Sequence, residues 1–157
     1  MLDAFLIGVG ATAFMDLTSL IRASLGVPFP DYGLVGRWLA SAARGRFAPG
    51  PISTVPPVKG EATIGWSAHY GIGIAYAALL LAAFPTWAER PTLTPALLVG
   101  VGTILAPFLI MQPGMGAGFF ASRTPDPAMA RLRSLITHAL FGLGLYAAGV
   151  ARVLAFQ

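Results

Sequence analysis

The chain has no cysteine and carries little charge. Only 10% of its 157 residues are charged, whereas roughly 25% is usual in a soluble domain. The absence of cysteine excludes disulfides, thiolate catalysis and cysteine-ligated metal clusters. Hydrophobic residues make up 56% of the sequence, and helices of this composition would have no polar face to offer water. The composition therefore predicts an integral membrane protein.

Four long apolar stretches hold most of the hydrophobic residues. About 20 helical residues are needed to cross the ~30 Å hydrocarbon core of a bilayer. We therefore predict an all-α fold, a four-transmembrane-helix bundle that forms a single integral membrane domain over 1–157. The predicted helices cover about 2–25, 64–84, 93–112 and 127–156. Asp3 stands where a signal peptide would have basic residues, so we interpret the first stretch as a retained helix.

Each apolar stretch contains a Gly-x-Gly pair. Lipid gives helices no hydrophobic reason to associate, so close packing at small residues has to hold them together. We predict helix-packing roles for eight glycines: Gly8, Gly10, Gly71, Gly73, Gly100, Gly102, Gly142 and Gly144. The segments HYGIGIAYAA and HALFGLGLYAA are alike, which is consistent either with two repeats of two helices or with the common composition of membrane helices.

The connections between the predicted helices contain further signals. Residues 32–46 mix apolar side chains with arginines, which favours either an interfacial helix in the first cytoplasmic connection or an irregular basic loop. Trp66 and Trp87 are 21 residues apart, about 31 Å of helix, and predict two aromatic belts. We expect Pro107 to kink the third helix.

The last connection is rich in glycine and ends in a helix-start signal. Residues 113–122 predict either a re-entrant turn or a buried loop. Asp126 and Pro127 predict the N-cap and the first position of the last helix.

Basic residues are distributed unevenly between the two sides of the predicted bundle. Eight of the ten lie in or beside the first and third connections: Arg22, Arg37, Arg44, Arg46, Lys59, Arg123, Arg131 and Arg133. Only Arg90 and Arg152 lie on the other side. The positive-inside rule then places both basic connections in the cytoplasm and both termini outside. No contiguous basic face is predicted, so we expect no nucleic-acid partner.

Three ionisable residues lie within the predicted helices. Asp16, His69 and His138 fall on stripes of small and polar residues in three different helices, so we expect them to converge inside the bundle. Ionisable groups inside a membrane are costly and mark a pairing, a pathway or a ligand site. Asp16 could pair with a histidine or with Arg22 to hold the bundle together, or the three could form a proton or ion site.

A cofactor has weaker support. His69 and His138 could ligate a haem or a metal, but no other residue pattern points to either, so no cofactor and no catalytic residue are predicted.

The chain resembles an uncharacterised bacterial inner-membrane family, the domain-of-unknown-function family twenty-nine thirty-eight. The segments that carry the resemblance are FLIGVGATAFMDL, YGLVGRWL, GWSAHYGIGIAYA, QPGMGAGFFASRTPDP and HALFGLGLYAAG. The resemblance covers nearly the whole chain and implies a four-helix protein of the bacterial inner membrane. It implies no activity, cofactor or catalytic residue.

Two classes of function follow from these observations. The favoured one is a non-enzymatic membrane component, free-standing or an accessory subunit, with the lipid bilayer and a membrane protein or a second copy of the chain as partners. The alternative is a small-solute, ion or proton transporter or channel that uses Asp16, His69 and His138. A bis-histidine haem or metal protein has the least support. The sequence thus favours a protein that is not an enzyme.

Overall fold

A computed structural model describes residues 1–156 of the chain, and the described part is all-helical. Five helices of ten residues or more are present: α1 Leu2–Ser24, α2 Tyr32–Ala42, α3 Glu61–Ala83, α4 Leu93–Gly102 and α5 Pro127–Ala155. Four helical segments are long and apolar enough to cross a membrane: Leu2–Ser24, Glu61–Ala83, Leu93–Gly114 and Pro127–Ala155. The predicted all-α fold with four long apolar helices is therefore confirmed.

Helix ends follow local signals. α1 ends where Gly26 adopts a φ of 86°, a left-handed conformation that glycine tolerates best. α5 begins as predicted: the Asp126 carboxylate accepts a hydrogen bond from the Met129 N–H at 2.9 Å, and Pro127 occupies the first helical position. α3 begins at Glu61, three residues before the predicted start, and the Glu61 carboxylate accepts a hydrogen bond from the Val58 N–H of the preceding segment at 2.8 Å.

The third apolar segment changes its helical geometry midway. α4 ends at Gly102, and a π-helix runs over Pro107–Met111 before a single α-helical turn at Gln112–Gly114. Pro107 has no N–H to donate to the carbonyl of Thr103, four residues earlier. The distortion that Pro107 was expected to cause is thus spread over a turn on each side of it.

Residues 32–42 resolve one alternative left open by the sequence. They form a helix, α2, whose N-cap is Asp31 with its side chain bonded to the Gly33 N–H at 2.9 Å. A turn follows at residues 43–45, and Arg46 lies just beyond it.

The segment after the π-helix was expected to be a re-entrant turn or a buried loop. It contains a short 3-10 helix, Phe119–Ala121, in which Phe119 and Phe120 are exposed while Ala121 is buried. A wholly buried loop is therefore not what these residues form.

The chain divides into two compact units. The first unit consists of Met1–Phe29, Tyr70–Thr103 and the described part of Leu135–Gln157. Its core contains Ile7, Ala11, Leu80, Ala96 and Leu145, all fully buried.

Trp87 lies in this core too, with 3% of its surface exposed. It donates a hydrogen bond from its indole N–H to the Thr92 carbonyl at 2.9 Å. The interpretation of Trp87 as part of an aromatic belt was wrong, because it lies in the turn beyond α3 and packs inward.

The second unit consists of Pro30–His69 and Ile104–Ser134. Here α2 packs against the first turns of α3 through two glycines. A methyl group at Gly36 would meet the Glu61 carbonyl, and one at Gly65 would meet the Tyr32 carbonyl. The unit is joined further by a hydrogen bond from the Ile52 N–H to the Met115 carbonyl at 3.0 Å.

Candidate functional site

Asp16 lies on the buried face of α1 in the first unit. Its side chain is 8% exposed and accepts a hydrogen bond from the Tyr70 hydroxyl at 3.1 Å. Thr12 and Ser19, one turn away on either side, are also buried, so a polar stripe runs along this face as the spacing predicted. Tyr70 is a partner that the sequence reasoning missed, because that reasoning looked to the histidines.

His138 lies on α5 in the same unit. Its Nδ1 is 3.1 Å from the Thr103 hydroxyl and 3.3 Å from the Gly100 carbonyl oxygen. The Thr103 hydroxyl also donates to the Gly100 carbonyl at 2.7 Å. Gly100 and Thr103 are three residues apart and lie on one face of the third span, and this face is turned toward α5.

His69 belongs to the second unit, near the beginning of α3. Its ring stacks on the Tyr32 ring with centroids 4.0 Å apart and planes 25° from parallel, and it meets the edge of the Trp66 ring at 5.8 Å. Asp16 and His138 are placed in the first unit and His69 in the second. The predicted convergence of all three stays a prediction.

Arg22 was considered as a partner for Asp16. In the structure one of its terminal nitrogens donates to the Thr137 hydroxyl at 3.2 Å. This bond links the last turn of α1 to α5 within the first unit.

The Gly-x-Gly pairs divide by what surrounds them. A methyl group added at Gly8 would lie 2.5 Å from the Ile74 Cα, and one at Gly144 would lie 2.7 Å from the Ala11 carbonyl oxygen. A methyl group would also have a neighbouring atom within 3.0 Å at four more of the predicted glycines: Gly10, Gly73, Gly100 and Gly142.

Gly71 and Gly102 differ from the other six. No atom lies within 4 Å of a methyl group built at either position. The physical reason is helical geometry, because residues two apart point about 200° away from each other. Gly73 on α3 and Gly100 on α4 face a neighbouring helix, so Gly71 and Gly102 face outward.

An ion pair in the second unit was not predicted. Arg37 on α2 is 9% exposed, and its guanidinium binds the Glu61 carboxylate through two hydrogen bonds of 2.8 and 2.7 Å. It also donates to the Val55 carbonyl at 2.9 Å. The hydrogen bonds with the Glu61 carboxylate raise the pKa of the Arg37 guanidinium above its ordinary value.

This pair joins α2, the loop after it and the start of α3. The sequence reasoning counted Arg37 only as one basic residue of a connection. Among the described residues no group of three or more histidine, aspartate or glutamate side chains is placed to hold a metal ion.

Comparison with known families identifies the chain's relatives at the family level. The family described as protein of unknown function (DUF2938) matches residues 5–152. The chain belongs to this family. The resemblance noted from the sequence is confirmed, and it covers both units. No curated protein and no solved structure matches the chain.

Proposed function

We propose that this DUF2938 protein is a non-enzymatic component of the bacterial inner membrane, either free-standing or an accessory subunit of a membrane complex. The observation that carries the proposal is how the polar side chains of the first unit are used. Thr12 donates to the Gly8 carbonyl of its own helix at 2.8 Å. Tyr70 binds Asp16, and Thr103 lies against His138. The contacts of Tyr70 with Asp16 and of Thr103 with His138 join helices to one another, as a structural component requires.

Close glycine contacts support the same proposal. The helices of the first unit approach so closely at Gly8, Gly100 and Gly144 that a methyl group would overlap a neighbouring backbone. Packing at this distance favours a rigid assembly and restricts sliding between helices.

Purification at native expression level tests this proposal. The protein is extracted in a mild detergent, its mass is measured by light scattering, and co-purifying subunits are identified and quantified. A partner in fixed stoichiometry, or a colourless protein of defined oligomeric state without transport activity, would support the proposal. A Soret band that is lost in His69→Ala or His138→Ala would instead establish a bis-histidine haem.

Asp16 favours a second candidate function. A buried carboxylate bonded to a tyrosine hydroxyl within a membrane helix is a common element of proton pathways. We therefore keep a proton or ion transporter or channel as the alternative. Asp16→Asn, compared with the unchanged protein in proteoliposomes under a pH gradient, tests it. Proton flux that requires Asp16 would replace the structural proposal with this one.

The orientation is also a proposal. Eight basic residues against two support cytoplasmic locations for both basic connections and periplasmic locations for both termini. Reporter fusions after Lys59 and after Arg123 should report the cytoplasm, and a fusion near Glu89 should report the periplasm. A periplasmic signal at Lys59 would reverse the orientation.

A further inference from the structure

The net positive charge of the protein comes from one of its two units. The first unit contains three basic and three acidic residues, whereas the second contains seven basic and three acidic residues. The formal net charge of +4 therefore belongs to the second unit. One of its acidic residues, Glu61, is already bound by Arg37.

The short 3-10 helix Phe119–Ala121 forms a strained turn in this basic unit. Phe120 and Ala121 have φ angles of 51° and 57°, in the left-handed region that side chains other than glycine rarely adopt. Such residues persist only where the surrounding structure holds them. In this turn Phe119 is 61% and Phe120 41% exposed, while Ala121 is buried.

Two side-chain contacts support the turn. Arg131 donates a hydrogen bond from its Nε to the Phe120 carbonyl at 2.7 Å, and the Phe120 ring packs against the Phe108 ring at 5.1 Å. The bond to the carbonyl uses only the Nε of Arg131, and its two terminal nitrogens have no hydrogen bond among the described residues.

Arg123 approaches the same turn from its other end. Its N–H donates to the Ala117 carbonyl at 2.9 Å, and its side-chain stem passes Gly118. Its guanidinium is exposed. The one acidic residue of this connection, Asp126, uses a carboxylate oxygen to cap α5. The turn thus presents two exposed phenylalanines, Phe119 and Phe120, and two exposed arginines flank it, Arg123 and Arg131.

We propose that this turn binds the headgroup of an anionic phospholipid. The guanidinium groups of Arg123 and Arg131 bind the phosphate oxygens, for which arginine is well matched in geometry and charge. Phe119 and Phe120 lie among the acyl chains next to the headgroup. Basic clusters at the ends of membrane helices are typical sites for anionic lipids. The inference depends on the proposed membrane location, but not on the orientation or on the absence of transport.

Diffuse attraction of a basic surface for an anionic membrane is the competing explanation, and the chain offers a matched control. A second turn of the same unit carries Arg44, Arg46 and Phe47, all exposed. Its Phe47 carbonyl accepts a hydrogen bond from the Trp38 indole at 2.8 Å. Arg46→Gln removes the same charge as Arg123→Gln from the same unit, without touching the proposed site.

The test uses the full chain in a neutral detergent with short-chain phosphatidylglycerol, phosphatidylcholine or inorganic phosphate as the added probe. Affinity is measured by native mass spectrometry and by the rise in melting temperature that each probe causes. Phosphatidylglycerol should bind more tightly than phosphatidylcholine. Arg123→Gln should weaken phosphatidylglycerol binding roughly tenfold to a hundredfold, the range expected for a lost charge-assisted hydrogen bond. Arg46→Gln should change it little.

Three further variants separate binding from folding. Arg131→Gln removes a bond that holds the turn, so its lipid-free melting temperature is measured too, and Arg131→Lys keeps the charge. Phe119→Ala should weaken phosphatidylglycerol binding while leaving the lipid-free melting temperature unchanged. Equal losses in Arg46→Gln and Arg123→Gln would overturn the site in favour of diffuse attraction. Inorganic phosphate bound as tightly as phosphatidylglycerol, or no preference over phosphatidylcholine, would overturn the lipid headgroup as its ligand.

Discussion

Glycine contacts within the first unit give the sharpest prediction about stability. Gly100 and Gly102 lie on the same helix, α4, two residues apart. A methyl group at Gly100 would meet the Gly142 Cα, lie 2.6 Å from the Gly142 nitrogen and lie 3.0 Å from the His138 carbonyl oxygen. A methyl group at Gly102 would meet nothing within 4 Å. Replacing each glycine with alanine and comparing the two variants therefore isolates the effect of the close contact at Gly100 on stability.

The expected difference in the free energy of unfolding follows from what the two substitutions share and where they differ. Glycine to alanine in a helix gains up to about 1 kcal/mol in either case, so this gain cancels in the comparison. Overpacking at Gly100 costs about 1–3 kcal/mol, because the atoms it meets are backbone and cannot rotate away. We expect Gly100→Ala to be less stable than Gly102→Ala by that amount, a ratio of roughly 5 to 150 in the folding equilibrium.

Unfolding by sodium dodecyl sulfate in mixed micelles measures this difference. Gly73→Ala and Gly71→Ala on α3 form a second matched pair, since Gly73 would meet the Thr12 side chain and Gly71 meets nothing. Both pairs should differ in the same direction. Equal stability within each pair would mean that the close contacts at Gly100 and Gly73 do not exist in the protein.

Three further predictions concern the polar contacts. Glu61→Gln should lower the unfolding midpoint clearly, because it leaves the Arg37 guanidinium buried without its counter-charge; a Glu61→Gln midpoint equal to that of the unchanged protein would contradict the buried pair. A double-mutant cycle of Asp16→Asn and Tyr70→Phe should give a coupling energy of about 1.5–3 kcal/mol, whereas strict additivity would show that the two side chains do not touch. Asp3→Asn should lower the free energy of unfolding by at most about 1 kcal/mol in the same assay, since the ion pair of Asp3 with Arg152 at 2.9 Å is partly exposed. A larger loss of stability would refute that estimate.

Much of the fold was predictable because a membrane helix is defined by length and composition. The starts and ends of α1 and α5 fall within two residues of the predicted ones. Asp126 and Pro127 marked a helix start that depends on neighbouring residues only. The third span was harder, because an α-helix, a π-helix and a turn have the same apolar composition. Counting four residues back from Pro107 would have located Thr103, whose carbonyl receives no hydrogen bond from Pro107.

The candidate site was predictable only where one helix face decides it. The stripe around Asp16 on α1 follows from spacing alone, whereas the contact of Thr103 with His138 on α5 does not. The partner Tyr70 does not follow, because it is one residue away from the stripe that was assigned to its helix. The ion pair of Arg37 with Glu61 joins residues 24 apart across a proline-rich loop, and no local pattern specifies such a pairing.

Ion pairing within the protein also bears on the proposed orientation. The positive-inside rule counts basic residues whether or not they are paired, and the count here is eight against two. Arg37 is bound by Glu61, and Arg152 is bound by Asp3 through hydrogen bonds of 2.9 and 3.0 Å. Both arginines are thus neutralised within the protein and interact weakly with the membrane field. Setting one aside on each side leaves seven against one, so the asymmetry that supports the orientation resides in residues outside these two ion pairs.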